Sequence, residues 1–335
     1  MDDLAAARFR IYALQDGAVR AQALAFALTI GLFDRLEREP MSREAIGEAF
    51  GVAPRVLPAL LAFLTSNGLL ERRDDGAFAN TAGASAFLVR SSPRYAGGRG
   101  LLFQGFYQAI AHLPESLSSG RPWTPEGQHD MFSGFSPEQQ RWFAEGMYAN
   151  AVSGGSSLAE VVDFSEFQRL LDVGGNSGGY AIALARANPQ LRATIFDLAP
   201  VRELALERID AAGLADRIDF AVGSFFEDEL PPGHDVLLLS SILHDWDEDD
   251  CAAILGRCYR GIEPGGTIVV AEPMLAEEAT GPDHPAASGL TMALLGGENR
   301  TRTRIAEMLG DAGFTRTWVS ELLPQNSVVT ALRPW

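Results

Sequence analysis

The sequence predicts an α/β protein, in which a helical N-terminal region precedes a doubly wound, mostly parallel sheet. From about residue 168, short apolar strands alternate with amphipathic helices, as in RLLDV, YAIALARANP, RATIFDL and VRELALERIDAAG. This alternation is typical of a parallel sheet with helices on both faces. Residues 1–90 instead predict helices followed by a small hairpin. These two sequence patterns indicate two kinds of domain in one chain.

Length, composition and charge limit the classes of protein to which this chain can belong. The chain has 335 residues, of which 47% are hydrophobic, which is enough for two domains with packed cores. No apolar run reaches the ~18 residues of a membrane span, and the start MDDLAAARFR does not have the pattern of a signal peptide. We therefore expect a cytoplasmic protein without a membrane partner. The net charge of −17 repels phosphate backbones, so we expect no nucleic-acid partner.

Residue usage excludes several chemistries. All 27 basic residues are arginine, which excludes a lysine Schiff base and a Walker A lysine. Cys251 and Cys258 lie seven apart in a helical pattern and are predicted to be packed thiols. We expect no metal, because the histidines other than His244 are scattered along the chain: His112, His129, His234 and His284.

Residues 1–100 are predicted to form a winged-helix-like dimerisation domain. SREAIGEAF and PRVLPALLAFLTSNG predict helix, turn and helix, and GLLERRDDGAFANT predicts a hairpin around Asp75 and Gly76. This pattern is common in DNA-binding proteins, but the second helix carries only Arg55 and is otherwise mostly apolar. Residues 1–90 contain 10 Arg and 11 Asp or Glu, a net charge of −1. Dimerisation is therefore favoured, and the apolar helix AQALAFALTIGLFDRL suits the same interface.

Residues 101–165 are predicted to be a helical linker that also contributes to a substrate pocket. The region from 100 to 150 is rich in aromatic residues. Core packing explains most of them, yet their density also suits the wall of a pocket for a flat molecule. The candidate pocket residues are Phe103, Phe106, Tyr107, Trp142, Met147 and Met292.

Residues 166–335 are predicted to form the Rossmann-like catalytic domain, with its site at the carboxyl ends of the strands. The residues at or just after those ends include carboxylates, glycines, aromatic rings and one histidine. They are Asp172, Gly174, Gly175, Asp197, Leu198, Ser224, Phe225, Phe226, Ser240, His244 and Glu272. Helix capping accounts for one or two of the acids but not for the set.

The loop after the first of these strands argues against a dinucleotide. Its frame puts Asn176 at the second glycine of the G-x-G-x-x-G fingerprint, where a side chain crowds the pyrophosphate. Asp172 would also repel a phosphate. A ligand with a cationic head, a ribose and an adenine fits better, with Asp197 accepting the ribose hydroxyls and Phe225 and Phe226 facing the adenine. S-adenosyl-L-methionine has these parts.

The motif LSSILHDWDEDD supplies a candidate base. It places His244 just before a predicted helix with Asp247 at its N-cap. A phenol has a pKa of about 10, and its anion is the better nucleophile. A neutral imidazole can take that proton in the transition state. We expect Glu272, at the end of the next strand, to hydrogen-bond the other ring nitrogen of His244 and fix its tautomer.

Five motifs in linear order give the sequence a family resemblance. LLDVGGNSGG, IFDLAPV, LLLSSILHDWDEDDCAAIL, GGTIVVAEPML and GGENRTRTRIAEMLGDAGF resemble the S-adenosylmethionine-dependent O-methyltransferases of the plant caffeate and hydroxyindole type, with bacterial natural-product relatives. The resemblance implies a homodimer, S-adenosyl-L-homocysteine as product, and His244 as base flanked by Glu272. It also implies that Asp197 binds ribose and that Gly174 and Gly175 line the methionine moiety.

Three positions depart from the family pattern. Asn176 replaces a glycine, Ser224 replaces the acid that meets the adenine amino group, and Asn299 replaces a glutamate that flanks the histidine. The leading hypothesis is O-methylation of a small aromatic, natural-product-like metabolite, with His244, Glu272 and Asn299 at the catalytic centre. Methylation at carbon or nitrogen, or non-methylating chemistry on the same fold, stays open because of Ser224 and Asn299. A winged-helix regulator that senses S-adenosylmethionine is the non-enzymatic alternative, disfavoured by the acidic charge.

Overall fold

A computed structural model describes residues 3–92, 94–123, 137–322 and 326–335, with the side chains of all of these except 99, 102–105, 108, 137–143, 145 and 321–322. The chain divides into two compact units, residues 1–106 with 135–150, and residues 107–134 with 151–335. The predicted boundaries at residues 100 and 165 stay a prediction.

The first unit is mainly helical. Its elements up to residue 87 are α1 (Asp3–Gln15), α2 (Gly17–Thr29), α3 (Leu32–Arg38), α4 (Arg43–Phe50), α5 (Leu57–Ser66), β1 (Leu70–Arg72), β2 (Phe78–Asn80) and α6 (Ala82–Phe87). Ser42 and Thr81 cap α4 and α6, because each hydroxyl accepts a hydrogen bond from a backbone N–H of the first turn. A buried core that includes Leu32, Phe33 and Leu64 holds these elements together.

The hairpin lies where the sequence predicts it. β1 and β2 are antiparallel, with Leu70 opposite Asn80. Asp75 accepts a hydrogen bond from the N–H of Ala77 at 3.0 Å, and Gly76 has φ +85°. A positive φ of this kind favours glycine, which explains why Asp-Gly is found at this turn.

Three helices carry the chain between the predicted domains. They are α7 (Gly98–Ile110), α8 (Leu113–Ser119) and α9 (Pro137–Val161). Gly98 lies against Gly146 of α9, so closely that a Cβ at residue 98 would be 3.0 Å from the Gly146 carbonyl oxygen. The first unit therefore joins α7 to α9 through a pair of glycines.

The second unit alternates strands and helices as predicted. Its further elements are β3 (Arg169–Val173), α10 (Gly179–Ala187), β4 (Arg192–Asp197), α11 (Arg202–Ala211), β5 (Ile218–Val222), β6 (Val236–Ser240), α12 (Glu248–Gly261), β7 (Thr267–Glu272), α13 (Asp283–Leu295), α14 (Arg302–Asp311), β8 (Thr315–Leu322) and β9 (Asn326–Leu332). Short 3₁₀ turns occupy Ala199–Val201 and Leu243–Asp245.

The sheet has seven strands in the order β5-β4-β3-β6-β7-β9-β8. β3 to β7 are parallel, whereas β9 pairs antiparallel with β7 and β8 pairs antiparallel with β9. The strand order changes direction between β3 and β6, which is the switch point where open α/β sheets bind ligands. The predicted α/β fold class is confirmed.

The middle of the sheet is the core of this unit. Residues 236–239 of β6 are fully buried, as expected for a strand covered by helices on both faces. Cys251 and Cys258 are buried, unpaired thiols in the same core, which confirms the prediction that they are packed thiols. Burial raises the pKa of both thiols to about 12, so neither is reactive at neutral pH.

Among the described residues, no single helix is long and apolar enough to cross a bilayer, and one pair bent by 53°, α2 with α3, meets the length and composition criteria only when the two helices are taken together.

Candidate functional site

The glycine loop (residues 174–178) follows β3 and lies at the switch point. Gly174 has φ +71°, and a Cβ there would lie 2.4 Å from Cδ1 of Ile242 and 3.6 Å from Cε1 of Phe225. Glycine is therefore required at this position both for backbone conformation and for space. This one residue touches the segment after β5 and the segment after β6, so the ends of three strands meet here.

Gly175 packs on the carboxyl group of Asp172. A Cβ at Gly175 would lie 2.6 Å from Cγ of Asp172, which leaves room for a hydrogen only. Asp172 is fully buried, and neither of its carboxylate oxygens has a hydrogen-bond partner of good geometry among the described residues. Burial raises the pKa of Asp172 to about 7; the nearby N–H of Ala181 opposes the rise, and the charge of Asp197 adds to it.

Asn176 stands where the family pattern has a glycine. Its φ is +49°, a left-handed conformation that asparagine adopts more readily than most residues. Its backbone N–H donates to Asp197 Oδ2 at 2.8 Å, and the N–H of Leu198 donates to Asp197 Oδ1 at 2.6 Å. Burial raises the pKa of Asp197, while these two N–H groups oppose the rise.

Aromatic rings line the turn after β5. Phe225 and Phe226 are half-buried, and both contact Trp246 edge to face, with ring centroids 5.9 and 4.7 Å from that of the indole. The backbone N–H of Ser224 donates to Asp228 Oδ2 at 2.9 Å. The turn therefore carries a carboxylate four residues after the serine.

The His244 turn (residues 242–246) follows β6, whose last residue, Ser240, is half-buried. Ser241, between β6 and the turn, has φ +53°, an uncommon conformation for a non-glycine residue. Asp247 caps α12, as predicted, by accepting the N–H of Asp250 at 2.9 Å. His244 thus lies between the end of β6 and the start of α12.

The imidazole of His244 is buried, with 8% of the residue exposed. Its Nε2 lies 3.5 Å from Asp245 Oδ1, and its Nδ1 has no hydrogen-bond partner among the described residues. Burial, with a smaller contribution from the charge of Arg300, lowers the pKa of His244 to about 4. The ring is therefore neutral at pH 7.

The predicted hydrogen bond from Glu272 to the ring of His244 is wrong for this structure. Glu272 Oε1 instead accepts the backbone N–H groups of Ile242 and Leu243 at 2.9 and 2.6 Å. These two donors lie in the turn and face the end of β7, where they bind the carboxylate in place of the imidazole. Burial raises the pKa of Glu272 to about 7, and the two N–H groups lower it in part.

Sequence reasoning missed the segment that holds the other side of the His244 turn. Arg300, 5% exposed, donates from Nη1 to the carbonyl oxygen of Leu243 and from Nη2 to that of Trp246, both at 2.8 Å. The N–H of Glu298 donates to the carbonyl oxygen of His244 at 2.8 Å. One arginine among 27 gives no sequence signal by itself; its place in the GGENRT motif was the available clue.

Asn299 lies in this same segment and is buried. Its Nδ2 donates to the carbonyl oxygen of Pro285 at 2.8 Å, which fixes the orientation of the amide. Its Oδ1 has no hydrogen-bond partner among the described residues. The substitution thus leaves a neutral acceptor where the family pattern has a carboxylate.

The candidate pocket residues divide between the two units. Phe106 is buried and Met147 half-buried in the first unit, while Tyr107 is exposed and Met292 buried in the second. The side chains of Phe103 and Trp142 lie outside the described residues. In the second unit, the ring of Trp123 stacks on that of His112 with centroids 4.4 Å apart. The backbone N–H of Trp123 donates to the carbonyl oxygen of Leu294, near Met292.

Fold and site together are typical of an enzyme whose ligand binds beyond the carboxyl ends of a parallel sheet. Comparison with known proteins narrows the class. Residues 127–315 match the O-methyltransferase domain, and residues 12–90 match the O-methyltransferase dimerisation domain.

Two bacterial relatives match over most of their length. A 3-hydroxy-5-methyl-1-naphthoate 3-O-methyltransferase of Streptomyces sahachiroi is 38% identical, over 90% of this chain and 87% of the relative. A tetracenomycin polyketide synthesis 8-O-methyl transferase of Streptomyces glaucescens is 33% identical, over 88% of each chain. The crystal structure of human N-acetylserotonin methyltransferase in complex with SAM superposes with a TM-score of 0.89 at 26% identity, covering 100% of this chain and 99% of the human chain.

The chain therefore belongs to the S-adenosylmethionine-dependent O-methyltransferase family. Its enzyme class and its cofactor, both expected from the sequence, are confirmed.

Proposed function

We propose that the protein transfers the methyl group of S-adenosylmethionine to a hydroxyl of a small aromatic, natural-product-like metabolite, with His244 as general base. The observation that carries the proposal is the contact of Gly174 with both Ile242 and Phe225. Because of this contact, the glycine loop, which we propose binds the cofactor, lies beside the His244 turn. The names of the two bacterial relatives, which specify a hydroxynaphthoate and a polyketide, support an aromatic acceptor.

The residues at the switch point fit the cofactor. The carboxyl group of Asp172 is buried with both oxygens unpartnered among the described residues, which favours a cation close to Gly175. Asp197 would accept the ribose hydroxyls with its remaining lone pairs. Leu198, Ser224, Phe225, Phe226 and Ser240 complete the proposed cofactor site. When bound, S-adenosylmethionine supplies a methyl group made electrophilic by the positive charge on sulfur.

His244 would take the hydroxyl proton of the acceptor. With a pKa of about 4, its ring is neutral and ready to accept a proton at pH 7, but it is a weak base toward a phenol whose pKa is about 10. The proton therefore has to move to His244 while the hydroxyl oxygen donates its electron pair to the methyl carbon. Asp245 Oδ1, 3.5 Å from Nε2, would favour the imidazolium when ionised. Burial raises the pKa of Asp245 to about 7, so this carboxyl is only partly ionised at neutral pH. We place the effect of the base near the lower end of the usual 10²–10⁴-fold, with positioning supplying the remainder.

Glu272 and Asn299 have different parts in this proposal. Glu272 acts through the backbone of the His244 turn, since both N–H groups of Ile242 and Leu243 bind its Oε1. The free Oδ1 of Asn299 would accept a hydrogen bond from a hydroxyl of the substrate. Of the pocket residues predicted from the sequence, Tyr107 and Met292 belong to the same unit as this site and would contact the aromatic ring. The assignment of Phe103, Phe106, Trp142 and Met147 to the pocket stays a prediction.

We further propose that the enzyme is a homodimer formed by the N-terminal domain. The family match at residues 12–90 supports this, as does α1, which has no buried residue and exposes Leu4, Phe9 and Leu14 at 77%, 65% and 81%. An apolar helix left in water favours association. Light scattering should give twice the 36.0 kDa of one chain, and a monomer at micromolar concentration would contradict this.

Product analysis tests the proposed reaction. The purified enzyme is incubated with S-adenosylmethionine and a panel of phenols, naphthols and matched aryl methyl ethers that have no free hydroxyl. We expect S-adenosylhomocysteine and a product heavier by one CH₂ with the hydroxylated compounds only, and an O–CH₃ signal by NMR. A new C–CH₃ or N–CH₃ signal would contradict O-methylation while leaving the cofactor assignment intact.

A further inference from the structure

The carbonyl side of the His244 turn is held by one buried guanidinium. Arg300 Nη1 and Nη2 donate to the carbonyl oxygens of Leu243 and Trp246, each at 2.8 Å. These two carbonyls lie on either side of His244. The planar fork of arginine matches a pair of acceptors in a way that a lysine ammonium does not.

The amide side of the same turn is held by Glu272. Its Oε1 accepts the N–H groups of Ile242 and Leu243, while the N–H of Glu298 reaches the carbonyl oxygen of His244 itself. Gly297 makes this approach possible, because a Cβ there would lie 2.1 Å from that oxygen. Opposite charges thus bind opposite ends of the peptide dipoles around the histidine.

The burial of Arg300 indicates that the arrangement is not incidental. Removing a charged group from water is costly unless it is well hydrogen-bonded. The Arg300 side chain is 3% exposed, and its ion-pair partner Glu298, 3.8 Å away, is 70% exposed. Carbonyl oxygens of the His244 turn are therefore its main hydrogen-bond partners.

We propose that Arg300 is a positioning residue for His244, which forms with Glu272 a clamp that fixes the backbone of the His244 turn and so the direction of the imidazole. This inference rests on the proposed role of His244 as the base. Arg300 has two separable effects in it. Its fork sets the geometry of the turn, and its positive charge disfavours the imidazolium, so that the resting ring is neutral.

Several charged or titratable groups face His244, and the charge effect has to be judged among them. Asp245 lies on the turn itself, Glu272 approaches from β7, and Arg300 and the exposed Glu298 approach from the segment before α14. The Cys251 thiol, from α12, donates to the carbonyl oxygen of Leu243 at 3.3 Å and stays protonated at neutral pH. Arg300 is the cationic member of this set.

Two substitutions separate the effects. Arg300→Lys keeps the charge and loses the fork, whereas Arg300→Met loses both. Arg304→Met is the matched control, because Arg304 lies on the neighbouring helix α14 and pairs with the exposed Glu248 and Glu307. Two measurements are made on each variant. One is the NMR titration of His244 in the absence of a methyl acceptor, and the other is kcat with the KM of cofactor and acceptor.

For Arg300→Lys we expect the His244 titration to stay close to that of the wild type while kcat falls at least about 10-fold, as for a mispositioned base. For Arg300→Met we expect the titration to move to higher pH and kcat to fall as far or further. KM for the cofactor should change less than about threefold in both, because Arg300 bonds Leu243 and Trp246, neither of which is among the proposed cofactor residues. Arg304→Met should match the wild type.

A wild-type kcat in Arg300→Lys would overturn the geometric effect, and an unshifted His244 titration in folded Arg300→Met would overturn the charge effect. If Arg300→Met does not fold, Arg300→Lys decides the proposal by its kcat. Failure of the proposed function has a different signature. In that case His244→Ala keeps full activity, while the titration, which needs no acceptor, still reports whether Arg300 acts on the imidazole.

Discussion

The backbone N–H of Asn176 donates to the Asp197 carboxylate at 2.8 Å, so one side chain at the end of β4 holds the loop that follows β3. The other oxygen of Asp197 accepts the N–H of Leu198. Asp197 is thereby fixed before any ligand arrives, and its remaining lone pairs are directed by two backbone contacts. Preorganisation of this kind improves affinity by lowering the cost of ordering the site.

Asp197→Ala should weaken the binding of S-adenosylhomocysteine strongly. Charge-assisted hydrogen bonds are worth about 1.5–3 kcal/mol each, and the variant loses the proposed ribose contacts as well as the anchor of the glycine loop. Calorimetry measures the change. Asp219→Asn, at an exposed position of β5, serves as the control and should bind normally. Wild-type affinity in Asp197→Ala would remove Asp197 from the cofactor site.

Asp172 should make cofactor affinity depend on pH. Its pKa of about 7 in the free protein means that the carboxylate is only partly ionised at neutral pH, whereas a cationic ligand needs it ionised. Affinity for S-adenosylhomocysteine should therefore rise between about pH 6 and 7.5, below the pKa of about 8 of a free α-amino group. Asp172→Asn should bind more weakly and lose this slope in calorimetry. A slope that persists in Asp172→Asn would assign the titration to another group.

The same carboxyl group should destabilise the free enzyme at high pH. Because its pKa is raised from 3.8 to about 7, the folded state holds the proton more tightly than the unfolded state, and stability contributed by Asp172 is lost as pH rises between these values. Asp172→Asn should therefore raise the Tm of the cofactor-free enzyme at about pH 8 and change it little at about pH 4. Thermal unfolding at the two values checks this, and a lower Tm at high pH would contradict it.

Much of the fold follows from the sequence because its signals are local. Alternating strands and helices predict a parallel sheet, and the carboxyl ends of parallel strands necessarily share an edge. The prediction that Gly174, Asp197 and His244 lie on one edge uses nothing more. The insertion of β9 between β7 and β8 depends on long-range pairing, and neither strand carries a signal for it.

The errors at the site have a common physical origin. Sequence motifs indicate which side chains are present, but they do not show what the backbone of a turn presents to them. Glu272 binds two N–H groups of the His244 turn instead of the ring. Arg300 binds two carbonyl groups of the same turn. Both contacts depend on the shape of residues 241–246, where Ser241 has a positive φ that the sequence does not reveal.

Asn299→Glu should reveal whether the neutral side chain at this position matters for the reaction. Suppose that the free Oδ1 of Asn299 binds the substrate. A glutamate at this position would then bury a carboxylate close to the carbonyl oxygen of Pro285, which accepts a hydrogen bond from Asn299 in the wild type. Turnover should then fall by at least about 10-fold. Asn299→Asp tests the charge at nearly constant volume. Product analysis and kcat check both variants. An unchanged product with only a modest rate change would show that Asn299 merely replaces a spare carboxylate.

His244 is proposed to accept the hydroxyl proton, and the turnover of His244→Ala shows whether it does. The variant is assayed with an acceptor that the wild type methylates, and its affinity for S-adenosylhomocysteine is measured alongside by calorimetry. We predict a fall in kcat of about 10²-fold, near the lower end for general-base catalysis, with cofactor affinity nearly unchanged. A His244→Ala enzyme with the full activity of the wild type would show that His244 is not the general base.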